Sequence, residues 1–314
     1  MALLSIYYEA LPGPRRSGRP GTLAPLLLLL SLLPFAPRTS SQNPALPPRD
    51  SAIDLFSRVI AQQKKSEVDL DVFERIQRAE ARKPPGEHAL TDVRFLRLFP
   101  NGTGLNKIPL SPDGTPPPSP SYRADLARLE QYLVWILQDG SGQREAIAKA
   151  EKKRKERFEL IDATHQAFVF TLEGKEVRGD RTLLRYSMTP RKDYKPTSRL
   201  TTLFTKVRGT VWVDEQTSQL AKIDGQVTED ISLALFLAKV NKGSHFMQER
   251  YEIAPGVWAP TFEQYDFDGR RFFSTISIHE RSFYTDYKRV GPPREAVERV
   301  RAELGKLPAE NRQK

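Results

Sequence analysis

Chemistry near neutral pH would fall first to the four histidines, His88, His165, His245 and His279. None lies at metal-ligand spacing from another, and the chain has no cysteine to complete a ligand set. His279 and Glu280 adjoin on an expected strand, where successive side chains point to opposite faces and cannot share an ion. Asp266 and Asp268 stand at an expected turn, a place that favours Asp for local hydrogen bonding. No nucleophile elbow, phosphate loop or dinucleotide glycine pattern is present, and Gly102-x-Gly104 lies in a loop without the flanking strand and helix. The sequence therefore offers no catalytic residue, no metal site and no cofactor, and the expectation is a protein that is not an enzyme. What remains is apolar chemistry. Phe168, Phe170, Trp212, Trp258, Phe262, Phe272 and Ile276 fall at period-two positions of different expected strands. In a curled sheet one such face becomes the inner wall of an apolar trough, and these seven are the expected lining of a ligand cavity.

The elements that would position them are strands. In residues 207–213, Val207, Gly209, Val211 and Val213 share one face, while Arg208, Thr210, Trp212 and Asp214 share the other. A polar turn, Glu215-Gln216-Thr217-Ser218, leads to a return strand that carries Ala221 and Ile223. Further strands are expected over residues 166–172, 182–188, 219–227, 245–253, 257–267 and 271–283. Turns are expected at Glu173-Gly174-Lys175, Ala254-Pro255-Gly256 and Asp268-Gly269. A helical interruption is expected over 232–240, and Pro292-Pro293 opens a last helix with Val297, Val300 and Leu304. Trp212, flanked two residues away by Thr210 and Asp214, is expected near a cavity mouth or under a helix edge, its ring covered and its indole N–H on a polar partner; Trp258 is expected deeper.

Ahead of the sheet the pattern is mostly helical. Residues 51–83 place Ile53, Phe56, Val59 and Ile60, then Val72, Phe73 and Ile76, at helical spacing before Pro84-Pro85-Gly86 ends the run. Residues 90–99 read as a strand and 101–121 as an exposed, Pro-rich loop. Residues 123–138 set Leu126, Leu129, Leu133, Ile136 and Leu137 on one stripe. Residues 143–160 form a charged helix with Glu145/Lys149 and Glu151/Lys155 pairs, and its basic run Lys152-Lys153-Arg154-Lys155 reads as a solvated helical face.

The first residues carry Arg15, Arg16 and Arg19, an apolar run over 23–33, and then small and polar residues. Those are the parts of a secretory signal peptide, and the run is interrupted by Pro25 and falls short of the roughly 20 apolar residues of a membrane span. Export without cysteine means that the core, not disulfides, must hold the fold. The formal net charge of +10 favours anionic partners such as membrane surfaces, and nucleic acid is not an expected partner of an exported chain.

The order of these parts resembles a known superfamily. Tyr186-Ser187-Met188-Thr189-Pro190-Arg191, Gly209-Thr210-Val211-Trp212-Val213-Asp214, Lys242-Gly243-Ser244 and Val257-Trp258-Ala259-Pro260 are similar to the outer-membrane lipoprotein carriers (LolA/LolB-like, with the RseB-type regulators), and closest to exported bacterial proteins of that type. The resemblance covers residues 158–287. It implies an α+β fold: a curled antiparallel sheet, an incomplete barrel, covered by helices over an apolar cavity that accepts acyl chains. The long part at 51–160 departs from the carriers. The expected organisation is a signal peptide at 1–41, a linker at 42–50, an N-terminal helical region with one strand at 51–160, the sheet domain at 161–290 and a helix and tail at 291–314. The expected function is a periplasmic binding or carrier protein that shelters an acyl chain or another apolar ligand. The alternative is a sensory or scaffolding module that binds a partner protein in the cell envelope.

Overall fold

Among the residues that the computed structural model describes (49–82, 90–118, 120–198, 200–233, 238–271 and 274–307), twelve strands join in one antiparallel sheet. Helix α1 (Arg49–Asp69) comes first and passes through a short 3-10 turn into β1 (Phe73–Arg82). The hairpin β2 (Leu90–Pro100) and β3 (Leu105–Pro109) follows, then α2 (Pro120–Ile136) and α3 (Ser141–Ala167). The meander then runs β4 (Phe168–Arg178), β5 (Arg181–Pro190), β6 (Val207–Asp214), β7 (Leu220–Val227), β8 (Ile231–Leu233), β9 (Ala238–Val240), β10 (His245–Ala254), β11 (Val257–Arg271) and β12 (Ser274–Arg289). Helix α4 (Pro293–Lys306) closes the described chain. The spatial order is β3-β2-β1-β12-β11-β10-β7-β6-β5-β4, with β9 added to the far end of β11 and β8 to β9. β3 and β4 stand at the two ends of the path and do not pair with each other, so the described sheet curls without closing into a barrel. This is the expected α+β architecture.

Three departures from the sequence reading have physical reasons. Residues 73–82 (FERIQRAEAR) are rich in helix formers and were expected to be helical, yet they form β1. That strand is laddered on both sides, to β2 and to β12, with Phe73 opposite Arg289. Pairing on two flanks outweighs helix propensities of a few tenths of a kcal/mol per residue. The expected loop at 101–121 contains β3 because Asn101-Gly102 makes a hairpin turn: Gly102 takes φ +88°, and Asn101 Oδ1 accepts the Thr103 N–H at 3.0 Å. The expected helix at 232–240 is instead the pair β8 and β9 around residues outside the described set. β9 docks on β11 at Gly269, where the backbone oxygen of Lys239 occupies the space that a Cβ would need.

Smaller corrections concern turns and helix ends. Gly174 lies at an irregularity within β4, and the chain turns later, at Gly179 with φ +61°. Asp268 and Gly269 are laddered to Ser277 and Ile276 within β11 and β12. α3 continues to Ala167, past its expected end at residue 160. Residues 1–48, with the expected signal peptide and most of the linker, lie outside the described residues, as do Pro84-Pro85-Gly86, His88 and Phe272.

Two cores flank this sheet. In one, α1 and α3 cover β4–β7 and β10, with Phe56, Val59, Phe168, Tyr186, Val207, Val211 and Phe246 buried. In the other, α2 and α4 pack on β2 and β3. Leu126, Leu129 and Leu133 meet Val297, Val300, Phe99 and Ile108, each at most 4 % exposed. Arg97 borders this second core, pairing with Glu74 at 2.6 Å and Glu303 at 2.8 Å. Tyr122 completes the cluster by donating to Glu303 at 2.7 Å. Burial alone would lower the pKa of Arg97, but Glu74 and Glu303 hold it above its ordinary value.

Candidate ligand cavity

The first core is not filled. Between α1, α3 and the sheet lies a cavity of about 120 Å³. Each element contributes to it with its own period. α1 supplies Phe56, Val59, Ile60 and Gln63, one helical stripe at i, i+3, i+4 and i+7. α3 supplies Leu160, Ile161, Thr164 and His165 from its last turns. β4 supplies Phe168 and Phe170, β6 supplies Val207 and Val211, and β10 supplies Phe246 and Gln248, each pair from one face of its strand. β7 supplies Leu220 and Ile223, which differ in parity. A bulge reconciles them: Val211 faces Ile223, Val213 faces Leu220, and Ala221 is the extra residue. Leu200, Leu203 and Phe204, before β6, close one side.

Gly225 sets the floor. Phe246 lies directly opposite it, and its ring occupies the space that a Cβ at 225 would take. The roof is set by Phe56, whose ring stacks on Phe170 at 3.7 Å and meets Tyr186 edge-on at 5.1 Å. Polar contacts fasten α1 on two sides. Lys64 donates to Asp162 of α3 at 2.6 Å, and Arg157 of α3 lies 3.5 Å from Glu67. Arg58 donates to Ser218 at 3.3 Å and Gln219 to Gln62 at 3.1 Å, at the turn between β6 and β7. Of these, only the ion pairs to Asp162 and Glu67 are part-exposed and worth about 0.2–1 kcal/mol each; Gln219 is buried and also accepts from Ser66 of α1 at 3.3 Å.

Beyond Gln248 the inner face turns polar. Gln248 donates to Glu263 at 2.6 Å, Tyr284 donates to the other Glu263 oxygen at 2.7 Å, and Gln77 donates to Ser282 at 2.9 Å. Arg250 is buried beside them and donates to the Trp258 carbonyl at 2.9 Å; burial pulls its pKa down against the pull of Glu67, Tyr287 and Glu263. Burial and Glu263 push the Tyr284 hydroxyl well above its ordinary value. The cavity thus ends against a hydrogen-bonded wall, and its own surface is apolar except for Gln63, Thr164, His165 and Gln248.

Of the seven expected lining residues, Phe168 and Phe170 stand in the wall. Trp212 does not, because strand alternation places it on the face opposite Val211; there its Nε1 donates to Glu176 at 2.8 Å and Lys222 sits 5.0 Å above its ring. Its polar partner matches the expectation, but the place at a cavity mouth does not. Trp258 is the deeper of the two, 1 % exposed, in a separate cluster with Leu183 and Ala221 and with Arg181 over its ring. Phe262 packs on Phe283 at 5.0 Å, and Ile276 pairs with Gly269; neither reaches the cavity. The aliphatic residues of β6, β7 and β10 and the stripe of α1 form most of the wall in their place. Gln63 was the missed signal: a polar residue continuing the apolar stripe of Phe56, Val59 and Ile60.

His279 lies apart from the cavity, 3.0 Å from Asp266, which also takes a two-pronged contact from Arg281 at 2.9 Å. Burial alone would raise the Asp266 pKa, but Arg281, His279 and Gln264 bring it below the usual carboxylate value. Among the described residues, no group of three or more His, Asp or Glu is arranged to hold a metal ion.

With the geometry in place, comparison with known proteins gives a narrow result. No family model matches the chain, and no curated protein matches it. Two solved structures are similar to it. One is a LolA superfamily protein from Nitrosomonas europaea, at 14 % identity and a TM-score of 0.28, covering 77 % of this chain and 96 % of that one. The other is a DUF1329 family protein from Desulfovibrio piger, at 11 % identity and a TM-score of 0.30, covering 77 % and 93 %. The first belongs to the superfamily that the sequence resembles. At these TM-scores the likeness carries no argument of its own, and the reading below rests on the cavity.

Proposed function

We propose that this protein binds an apolar chain, of the kind found in fatty acyl groups, between α1 and the curled sheet, and acts as a binding or carrier protein. The observation that supports this is a cavity whose wall is aliphatic and aromatic but for four residues. An unoccupied apolar space leaves the side chains of its wall without close contacts, at a cost to stability. An apolar occupant removes that cost. It also gains about 0.8 kcal/mol for each methylene withdrawn from water, without any catalytic group. The space suits a short chain segment or a ring, since engineered cavities of about 150 Å³ accept benzene. A longer chain enters only when α1 lifts from the sheet.

The proposed setting is the periplasm, which the basic, apolar and polar order of the first residues supports. No described helix is long and apolar enough to cross a membrane. Extraction of the protein purified from its native host, followed by mass spectrometry, tests the reading. Acyl-bearing compounds at near-stoichiometric amounts are expected; their absence, with a folded protein, favours the alternative of a module that reads a partner protein.

A further inference from the structure

Gln63 is 5 % exposed, and neither its Nε2 nor its Oε1 has a hydrogen-bond partner among the described residues. It projects from α1 on the same stripe as Phe56, Val59 and Ile60, into the cavity wall. The contrast with Gln248 is direct. That second amide of the wall is satisfied by Glu263 and belongs to the polar network behind it. Buried polar groups are nearly always paired, so a buried amide with both ends open, facing a space large enough for a guest, calls for a guest with matching groups. A purely hydrocarbon ligand would leave both ends unmet.

The charge of the wall narrows the match further. Among its described residues there is no Lys, Arg, Asp or Glu, and His165 is its one titratable side chain. An ionised head seated at Gln63 would be buried without a counter-charge, which is far less favourable than burying an uncharged polar group. Resting on the binding function proposed above, we infer that Gln63 is the anchor for an uncharged polar linkage, an amide or a hydroxyl-bearing ester, at the head of the apolar chain. Its Nε2 donates to the ligand carbonyl and its Oε1 accepts from the ligand N–H or O–H. The preferred ligand is then an acyl amide or acyl ester, not a free fatty acid or a hydrocarbon.

The test is displacement of the neutral probe N-phenyl-1-naphthylamine by decanamide, decanoate and decane, using wild-type protein, Q63M and Q63N. Wild type should take decanamide at least tenfold more tightly than decane. In Q63M that preference should vanish while decane binds as before, and Q63N, whose amide is one methylene shorter, should fall between. If Q63M does not fold, the Q63N arm still reads the dependence on amide position. Equal affinity of wild type for decanamide and decane, or equal weakening of all three ligands in Q63M, overturns the inference and leaves apolar binding standing. A decanoate preference removed by H165A and untouched by Q63M would move the head to His165 and overturn it as well. If none of the three displaces the probe, the binding function itself fails and the anchor with it.

Discussion

The two cores of this protein are built from the same kinds of residue and end in different states. Around α2 and α4, leucines at i, i+3 and i+7 meet valines and Phe99 with every member at most 4 % exposed. Around α1 and α3 a similar stock of Leu, Val and Phe leaves a cavity. The difference lies in what faces the helix. α2 and α4 pack on each other as well as on the short hairpin β2–β3, so apolar side chains interlock from three directions. α1 spans a concave sheet, and curvature holds the middle of the trough away from it. A closed core is what helix pairs make; an open one needs a curved sheet and a helix laid across it.

Truncating the same residue type in each core gives the largest contrast. L129A, in the closed core, should cost about 3–5 kcal/mol, whereas L203A, on the cavity wall, should cost about 2–3 because the space beside it is already partly empty. Chemical denaturation of both variants measures this, and equal losses would erase the distinction between the cores. Next comes G225A. A methyl there drives the Phe246 ring into the cavity, and such overpacking costs about 1–3 kcal/mol. Apolar probe uptake should fall more than tenfold, and unchanged uptake would mean that the floor is not where the ligand rests.

R97M leaves Glu74 and Glu303 without their shared cation at the edge of the closed core. It should cost about 2–3 kcal/mol and leave probe uptake unchanged. Loss of uptake would show that the two cores are coupled. Alkaline pH should act on the closed core through Tyr122. Burial and the hydrogen bond to Glu303 push its pKa up to about 12 from an ordinary value of 10. A raised pKa favours the neutral hydroxyl in the folded state. Its contribution is therefore complete below pH 10 and lost as pH rises towards 12. Tyr284 and Tyr287, also raised by burial, act in the same direction. Thermal melts in Y122F, whose loss above pH 10 should be smaller than that of wild type, check the assignment.

Much of the sheet was legible because alternation in 207–227 and 245–253 is strong on both faces. β1 was not, since its Arg, Glu and Ala residues favour a helix and only pairing with β2 and β12, a contact spanning most of the chain, makes it a strand. The cavity was legible in kind and only partly in place, at Phe168 and Phe170. Period two divides a strand into two faces without saying which one turns inward, and choosing by aromatic type selected Trp212 on the wrong side of β6 and Phe262 on the wrong side of β11. The bulge at Ala221 is equally silent in sequence, yet it decides that Leu220 and Ile223 face the same way. Gln63 could have been found: a lone amide extending an apolar helical stripe is an unusual thing to bury.

Filling the cavity tests the central claim most directly. Val211 is 3 % exposed and stands in the cavity wall. In V211F the added ring occupies the space that the account assigns to the ligand. A titration of wild type and V211F with N-phenyl-1-naphthylamine should show saturable uptake by wild type and at least tenfold weaker uptake by the variant, with thermal stability equal or higher. Undiminished uptake by a folded V211F would place the apolar site elsewhere and contradict the account.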